Sequence, residues 1–373
     1  MKFRITVAAA ALLMIGGRVP VYADGIGDYF SYSGFGTLGA VRSSTDQAQF
    51  GYNRQLGGAT EGVDFETDSD LGLQLTGKAN SWLSATVQGL AEKSDADRVS
   101  LAVEWAFVKV QPIDGLTIRG GRMAMPTFIV SDSINVGYAT TWLRAPNEVY
   151  GLAMLPLLEG ADVTYRKSLG PVAVSVTALG GESTLRALGT NYEARDVRGA
   201  NFQLETDWVT FRAGRVQTSE VEVGGTPQQY SFTGFGLSVD HNNIVAQAEF
   251  VERRAGYYYN IVSANGWYLM GGYHFGKFTP YAIYSSTDPQ FNPNSPPVQL
   301  AVPLISNIQK TVAAGLRWDA FSSVDFKFQV ERVNTNGTPG ISFSNPDLSG
   351  ALRFDVPVTR PVTVLSANID FVF

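Results

Sequence analysis

Charged side chains in this sequence recur at alternate positions inside otherwise apolar runs, and that spacing limits the chemistry open to them. Lys78, Arg119, Arg166, Arg212, Arg317 and Lys327 stand on one face of such runs, together with Glu104, Asp162, Glu205, Glu249, Asp325 and Asp370. Arg122 changes face relative to Arg119 unless the run ends or bulges between them. Asp132, Arg144 and Glu148 lie in the segment that follows. Fixed charges of both signs on a wetted wall sort polar solutes by field rather than by making bonds. A hydrolase would instead need a nucleophile, a histidine and a group orienting it. The chain has only two histidines and no Gly-x-Ser-x-Gly elbow, and no serine is tied to His274, which has Tyr268 and Tyr281 nearby in sequence. With no cysteine, transition-metal ligands of the usual types are also missing. No catalytic, cofactor-binding or metal-binding residue is assigned, and a barrel enzyme of the lipase or acyltransferase type stands as the rival reading.

The elements that must position these charges are strands. In Leu365-Ser366-Ala367-Asn368-Ile369-Asp370-Phe371-Val372-Phe373 the odd positions are apolar, while Ser366, Asn368 and Asp370 are polar. Side chains on a strand alternate between faces, so one face of such a run can meet lipid and the other water. The same pattern returns in Val324, Phe326, Phe328 and Val330 against Asp325, Lys327, Gln329 and Glu331, and again in Leu71, Leu73 and Leu75.

Strands are predicted near 29–42, 69–79, 82–92, 99–111, 115–123, 155–168, 171–180 and 196–206. Others follow near 208–217, 229–240, 243–253, 265–275, 278–286, 309–318, 323–333 and 361–373. This makes about 16, an even number as in single-chain bacterial barrels, with 14 or 18 as the neighbouring counts. Short links such as Asn80-Ser81 and Gly276-Lys277 alternate with long ones at 43–68, 181–195, 287–308 and 334–360. The prediction is an all-β transmembrane antiparallel barrel with loops sorted by side. Trp82, Trp105, Trp208, Trp267 and Trp318 fall near strand ends, where interfacial aromatic girdles would place them.

The first residues read as an export signal over 1–23, leaving 24–373 as the barrel. Lys2 and Arg4 precede an apolar run from Ile5 to Ile15, and Val21-Tyr22-Ala23 offers a cleavage site. Acids outnumber Lys and Arg by 34 to 28, which argues against nucleic acid as a partner. A plugged receptor would need a domain ahead of the first strand, where only Asp24 to Asp28 stand.

One long link, Met123 to about Ala153, differs from the others by its apolar and aromatic content: Phe128, Ile129, Val130, Tyr138, Trp142 and Tyr150. A segment folded inward onto a wall has reason to be apolar on one side. Trp105-Ala106-Phe107-Val108, Ile118-Arg119-Gly120-Gly121-Arg122 with Pro126, and Trp142-Leu143-Arg144-Ala145-Pro146 with Glu148-Val149-Tyr150 resemble Gram-negative outer-membrane porins. The resemblance implies a passive channel for small polar or charged solutes in the outer membrane, in contact with its lipid. It makes 123–153 the third external loop, folded inward as the constriction. It further implies that arginines on the wall face acids on that loop, with Lys78 and Arg119 opposite Asp132 and Glu148 as the expected cluster. A homotrimer is implied too, and Gly34-Phe35-Gly36 in the first strand is compatible with close packing between copies. A terminal strand ending in Phe373 is what the barrel-assembly machinery reads in the family.

Overall fold

The structure, a computed structural model, describes residues 29–52, 55, 57–93, 98–187, 190–223, 226–255, 263–290, 308–346, 352–353 and 358–373. The export signal expected over 1–23 lies outside them. Sixteen strands close into one antiparallel barrel. They are β1 (Phe30–Ser43), β2 (Asp70–Lys78), β3 (Leu83–Lys93), β4 (Val99–Ile113), β5 (Leu116–Ala124), β6 (Leu157–Leu169), β7 (Val172–Ala187) and β8 (Thr190–Glu205). There follow β9 (Val209–Val223), β10 (Thr226–His241), β11 (Ile244–Ala255), β12 (Ala264–Tyr273), β13 (Phe278–Pro289), β14 (Gln309–Phe321), β15 (Val324–Asn334) and β16 (Val362–Val372). Each pairs with its neighbours in the chain, and β16 returns to pair with β1.

The wall is inside out relative to a water-soluble fold. Exposed positions are apolar, among them Leu73, Leu101, Phe235, Leu269, Phe328 and Leu365. Their strand neighbours of opposite parity are buried and polar, among them Gln88, Asp162, Arg212, Glu249, Lys327 and Asp370. An apolar exterior around a polar interior is what a hydrocarbon solvent selects. At one end the strands turn tightly: Asn242 and Asn243 both adopt positive φ (50° and 68°), as a two-residue hairpin between His241 and Ile244 requires.

The alternating runs thus become the expected strands, with one difference in extent. The link expected over 181–195 is mostly strand, because β7 continues to Ala187 and β8 begins at Thr190. The ladder tolerates a register shift between Gly181 and Ser183 and then resumes. At the opposite end of the chain's path, residues from two long connections fold together. Phe343-Ser344 pairs with Gln49-Phe50, and a small core gathers Ala48, Phe50, Ala59, Phe343 and Val358 on the ends of β1, β15 and β16.

The seam between β1 and β16 is held from Phe35↔Val372 to Ser43↔Val364, and Gly34 and Phe373 exchange both backbone hydrogen bonds at 2.8 and 2.9 Å. A Cβ on Gly34 would lie 2.2 Å from the Phe373 ring, and one on Gly36 would lie 2.6 Å from the Phe371 ring. The Gly34-Phe35-Gly36 stretch is therefore covered by the chain's own terminal aromatics, and the Phe373 ring remains exposed on the outer surface.

Candidate pore and constriction

The segment between β5 and β6, residues 125–156, leaves its own strands and lies against the buried, polar face of the opposite wall. It carries two short 3-10 turns, Ser131–Ser133 and Gly137–Ala139, and one helical turn, α1 (Asn147–Tyr150). Its apolar side packs on the inner wall: Phe128 stacks on Tyr150 at 4.2 Å and meets Phe232 edge-on at 5.5 Å, and Trp142 meets Tyr268 at 5.5 Å. Met125, Trp142, Val149, Tyr150 and Leu152 are buried in this way among Val216, Val251, Tyr268 and Ile283.

Polar contacts tie the segment down along its length. Arg212 donates to the Phe128 carbonyl at 2.5 Å. Arg317 donates to the carbonyls of Tyr138 and Thr140 at 2.9 and 2.7 Å, and Lys327 donates to Gly137 at 2.6 Å. The Tyr281 hydroxyl accepts the Leu143 amide at 2.9 Å. Glu148 is buried and accepts from Ser285 and Gln309, both at 2.8 Å, and from Thr311. Tyr150 donates to Glu249, which also accepts the Ile129 amide at 3.0 Å. Glycine at 266 lets α1 approach β12, since a Cβ there would lie 2.0 Å from the Glu148 carbonyl oxygen.

Arg144 is the central tie. It reaches Asp68 at 2.5 Å and Glu331 at 2.5 Å, donates to Ser366 at 2.9 Å, and lies over the Phe50 ring at 4.9 Å. Burial works against its charge, but Asp68 and Glu331 outweigh that and hold the guanidinium more firmly protonated than in water. Burial, with Glu249 beside it, pushes the Tyr150 phenol well above its ordinary value.

Because the segment leans on the far wall, open space remains on the side of β3, β4 and β5. A cavity of about 290 Å³ lies there, and Glu104, Arg122 and Asp132 line it along with Glu92, Lys93 and Trp105. Asp132 is exposed on its turn and acts electrostatically on both Arg119 and Arg212. Arg119 is itself paired bidentately with buried Asp162, its cross-strand neighbour, and lies over Phe107 at 5.5 Å. Arg122 pairs with Glu159 across the same ladder, and both of those side chains remain partly exposed at 34% and 42%.

The expected cluster is thus rearranged. Asp132 lies within electrostatic reach of Arg119, but Lys78 and Glu148 are not part of that group. Lys78 ends β2 opposite Ser84, at the tight-turn end. Lys93, on the cavity, is nine residues further along β3 than Ser84, roughly 30 Å at strand rise. Glu148 is consumed in anchoring α1. Arg166 pairs with Glu205, again toward the tight turns. Arg317 pairs with Asp319 at 2.9 Å and Asp325 at 3.1 Å, and Lys327 with Asp370 at 3.1 Å. His274 meets neither Tyr268 nor Tyr281; its Nδ1 lies 2.8 Å from the hydroxyl of buried Thr279.

Sequence parity failed at one place for a clear reason. The β3–β4 register skips a residue, pairing Trp105 with Gln88 and Val103 with Gly89, so Glu104 is the extra residue of a bulge. Trp105 is thereby turned onto the cavity and does not join Trp82, Trp208, Trp267 and Trp318 on the exposed face. Lys93 and Glu92 were missed because they end their strand; their polarity at the end of an alternating run was the available signal.

No family model matches the sequence, and no curated protein matches it by sequence. Solved structures do match the fold. An anion-selective porin from Comamonas acidovorans superposes with a TM-score of 0.60 at 13% identity, covering 92% of this chain and 99% of that one. OmpF of Salmonella typhi, in complex with daunomycin, gives 0.59 at 14% identity, covering 92% and 97%. The outer-membrane channel DcaP of Acinetobacter baumannii gives 0.55 at 9% identity, covering 93% and 98%. The chain has the fold of the outer-membrane porins, a sixteen-stranded barrel closed on itself.

Proposed function

We propose that this protein is an outer-membrane porin, a passive channel through which small polar or charged solutes diffuse. The observation that carries the reading is the cavity between the inner segment and β3–β5, where Glu104 and Asp132 share a wetted space with Arg122 and Lys93. Segment 123–153 acts as the constriction, and the carboxylates and guanidiniums across the gap give weak selectivity by orienting solute dipoles. Arg119 and Arg212 extend the positive side of that field. The chain is exported by residues 1–23, and 24–373 is inserted with its terminal strand and Phe373 presented to the barrel-assembly machinery. It works as a homotrimer embedded in outer-membrane lipid.

Planar-bilayer conductance with reversal potentials in a salt gradient tests the reading. Wild type should open stepwise, Arg122→Gln should shift selectivity toward cations, and Asp132→Asn should shift it toward anions. A folded, inserted barrel with no conductance would refute the channel. A monomer in sedimentation of unheated, detergent-solubilised protein would refute the trimer.

A further inference from the structure

Several cations on the inner side meet carboxylates, and a group on the outer wall does not. Arg119, Arg122, Arg144, Arg166 and Arg317 each have an acidic partner. Arg42 on β1, Lys310 on β14 and Arg332 on β15 are exposed on the lipid-facing parity. Arg42 stands opposite exposed Leu365, Lys310 precedes exposed Val312 by two residues, and Arg332 follows exposed Val330 by two. Arg42 donates to the Glu61 carbonyl at 2.8 Å and Arg332 to the Thr363 hydroxyl at 2.7 Å. Among the described residues, none of the three meets a carboxylate.

All three stand at the long-connection end of their strands, and β16 alone separates β1 from β15. The backbones of Arg42 and Arg332 are then about 10 Å apart laterally, a gap that two long side chains close over one anion. Directly below them on the outer surface is an open, shallow groove lined by Ala40, Ala314, Leu316, Phe328, Val330 and Leu365. Ala40 and Ala314 leave a trough between the larger Phe328 and Leu365 side chains.

We infer that this face binds an anionic lipid, with headgroup phosphates on Arg42, Lys310 and Arg332 and an acyl chain along the groove. Guanidinium matches phosphate geometry bidentately, and an apolar floor beneath a cationic rim fits an amphiphile rather than a free anion. Each cation near an anionic headgroup contributes roughly fivefold, so three give on the order of a hundredfold preference over an uncharged headgroup.

Native mass spectrometry of detergent-solubilised protein tests this with three probes: a diphosphorylated glycolipid, the same lipid stripped of phosphate, and inorganic phosphate. Wild type should retain the phosphorylated lipid about a hundredfold better than the stripped one. The triple variant Arg42→Gln, Lys310→Gln, Arg332→Gln should lose that preference, while Ala314→Trp, which fills the groove, should weaken both lipids. Unchanged conductance verifies that each variant is folded. Equal retention by wild type and the triple variant overturns the inference. So does displacement of the lipid by millimolar inorganic phosphate, which would mark an anion site alone. Loss of the oligomer in Ala314→Trp with lipid retention intact would make the face a subunit interface instead.

Discussion

Replacing Arg144 by methionine should free the inner segment from the wall without disturbing the barrel. The guanidinium is only 3% exposed, and its partners Asp68 and Glu331 are 4% and 13% exposed. Methionine keeps much of the volume but leaves two carboxylates facing each other without a cation. Removing one partner of a buried ion pair costs about 3–5 kcal/mol, because the other charge stays desolvated. At about 1.4 kcal/mol per tenfold, the undocked population should rise on the order of 10³. The Leu143 amide reports this directly, since its acceptor is the Tyr281 hydroxyl on β13 and the bond survives only while the segment is docked. Amide hydrogen exchange should therefore show Leu143 protection falling by about three decades, with β13 and β14 unchanged. Combining Arg144→Met with Asp68→Leu and Glu331→Leu should recover most of the protection, because a buried ion triad replaced by apolar groups is often no less stable. Unchanged Leu143 protection in Arg144→Met would refute the assignment of Arg144 as the tie.

Other outcomes follow from the same geometry. Arg122→Gln should alter selectivity yet leave the thermal midpoint of the barrel almost unmoved, since a half-exposed pair such as Arg122–Glu159 contributes about 0–1 kcal/mol; a large drop in midpoint would contradict this. Gly266→Val should displace α1 from β12, and proteolysis near Glu148 in the folded barrel would detect it. Asp64 accepts the amides of Glu66 and Thr67 at 2.9 and 2.7 Å and lies 3.5 Å from Lys93. Burial alone would raise its carboxyl, but Lys93 and those hydrogen bonds prevail and hold it below the usual range. Its folded value is below its unfolded one, so its contribution is complete above about pH 4 and fades as pH falls through the folded value. Exchange around residues 60–68 should accelerate in acid, and Asp64→Asn should remove that pH dependence; an identical profile in the variant would discard the idea. Gly34→Val should slow closure of the barrel, read as a longer-lived unfolded band in unheated gels, because the Phe373 ring occupies the space of a Cβ.

The strands were legible because one variable, alternation, encodes both the backbone period and the two solvents the wall divides. The run from Leu365 to Phe373 announces β16 without any partner being known. Parity also told correctly that Arg119, Asp162, Arg212 and Lys327 share the inner side. It could not tell height along the barrel, which depends on register between strands: Lys78, Ser84, Lys109 and Arg119 fall in one cross-strand row near the tight turns, whereas the cavity opens nine residues further along β3, roughly 30 Å at strand rise. It could not see the bulge at Glu104 either, since Trp105-Ala106-Phe107-Val108 are all apolar and hide the change of phase from exposed Leu101 and Val103 to exposed Val108. The roles of Arg144 and Glu148 were hidden for a related reason. Both looked like charges facing solute, and only the packing of Trp142 and Tyr150 on the far wall shows them used up in holding the segment.

The seam where Phe373 covers Gly34 has a kinetic meaning. Every other ladder of the barrel joins strands adjacent in the chain, so each can form as a local hairpin with little loss of chain entropy. The β1–β16 ladder instead joins partners such as Thr37 and Asp370, 333 residues apart. Contacts of such separation form late, after the entropy of the intervening chain has already been spent on the hairpins. Before that moment both edge strands present unpaired amides and carbonyls, which hydrocarbon cannot satisfy. Insertion and closure are therefore one coupled event, with the Phe371 and Phe373 rings packed over the seam that it seals.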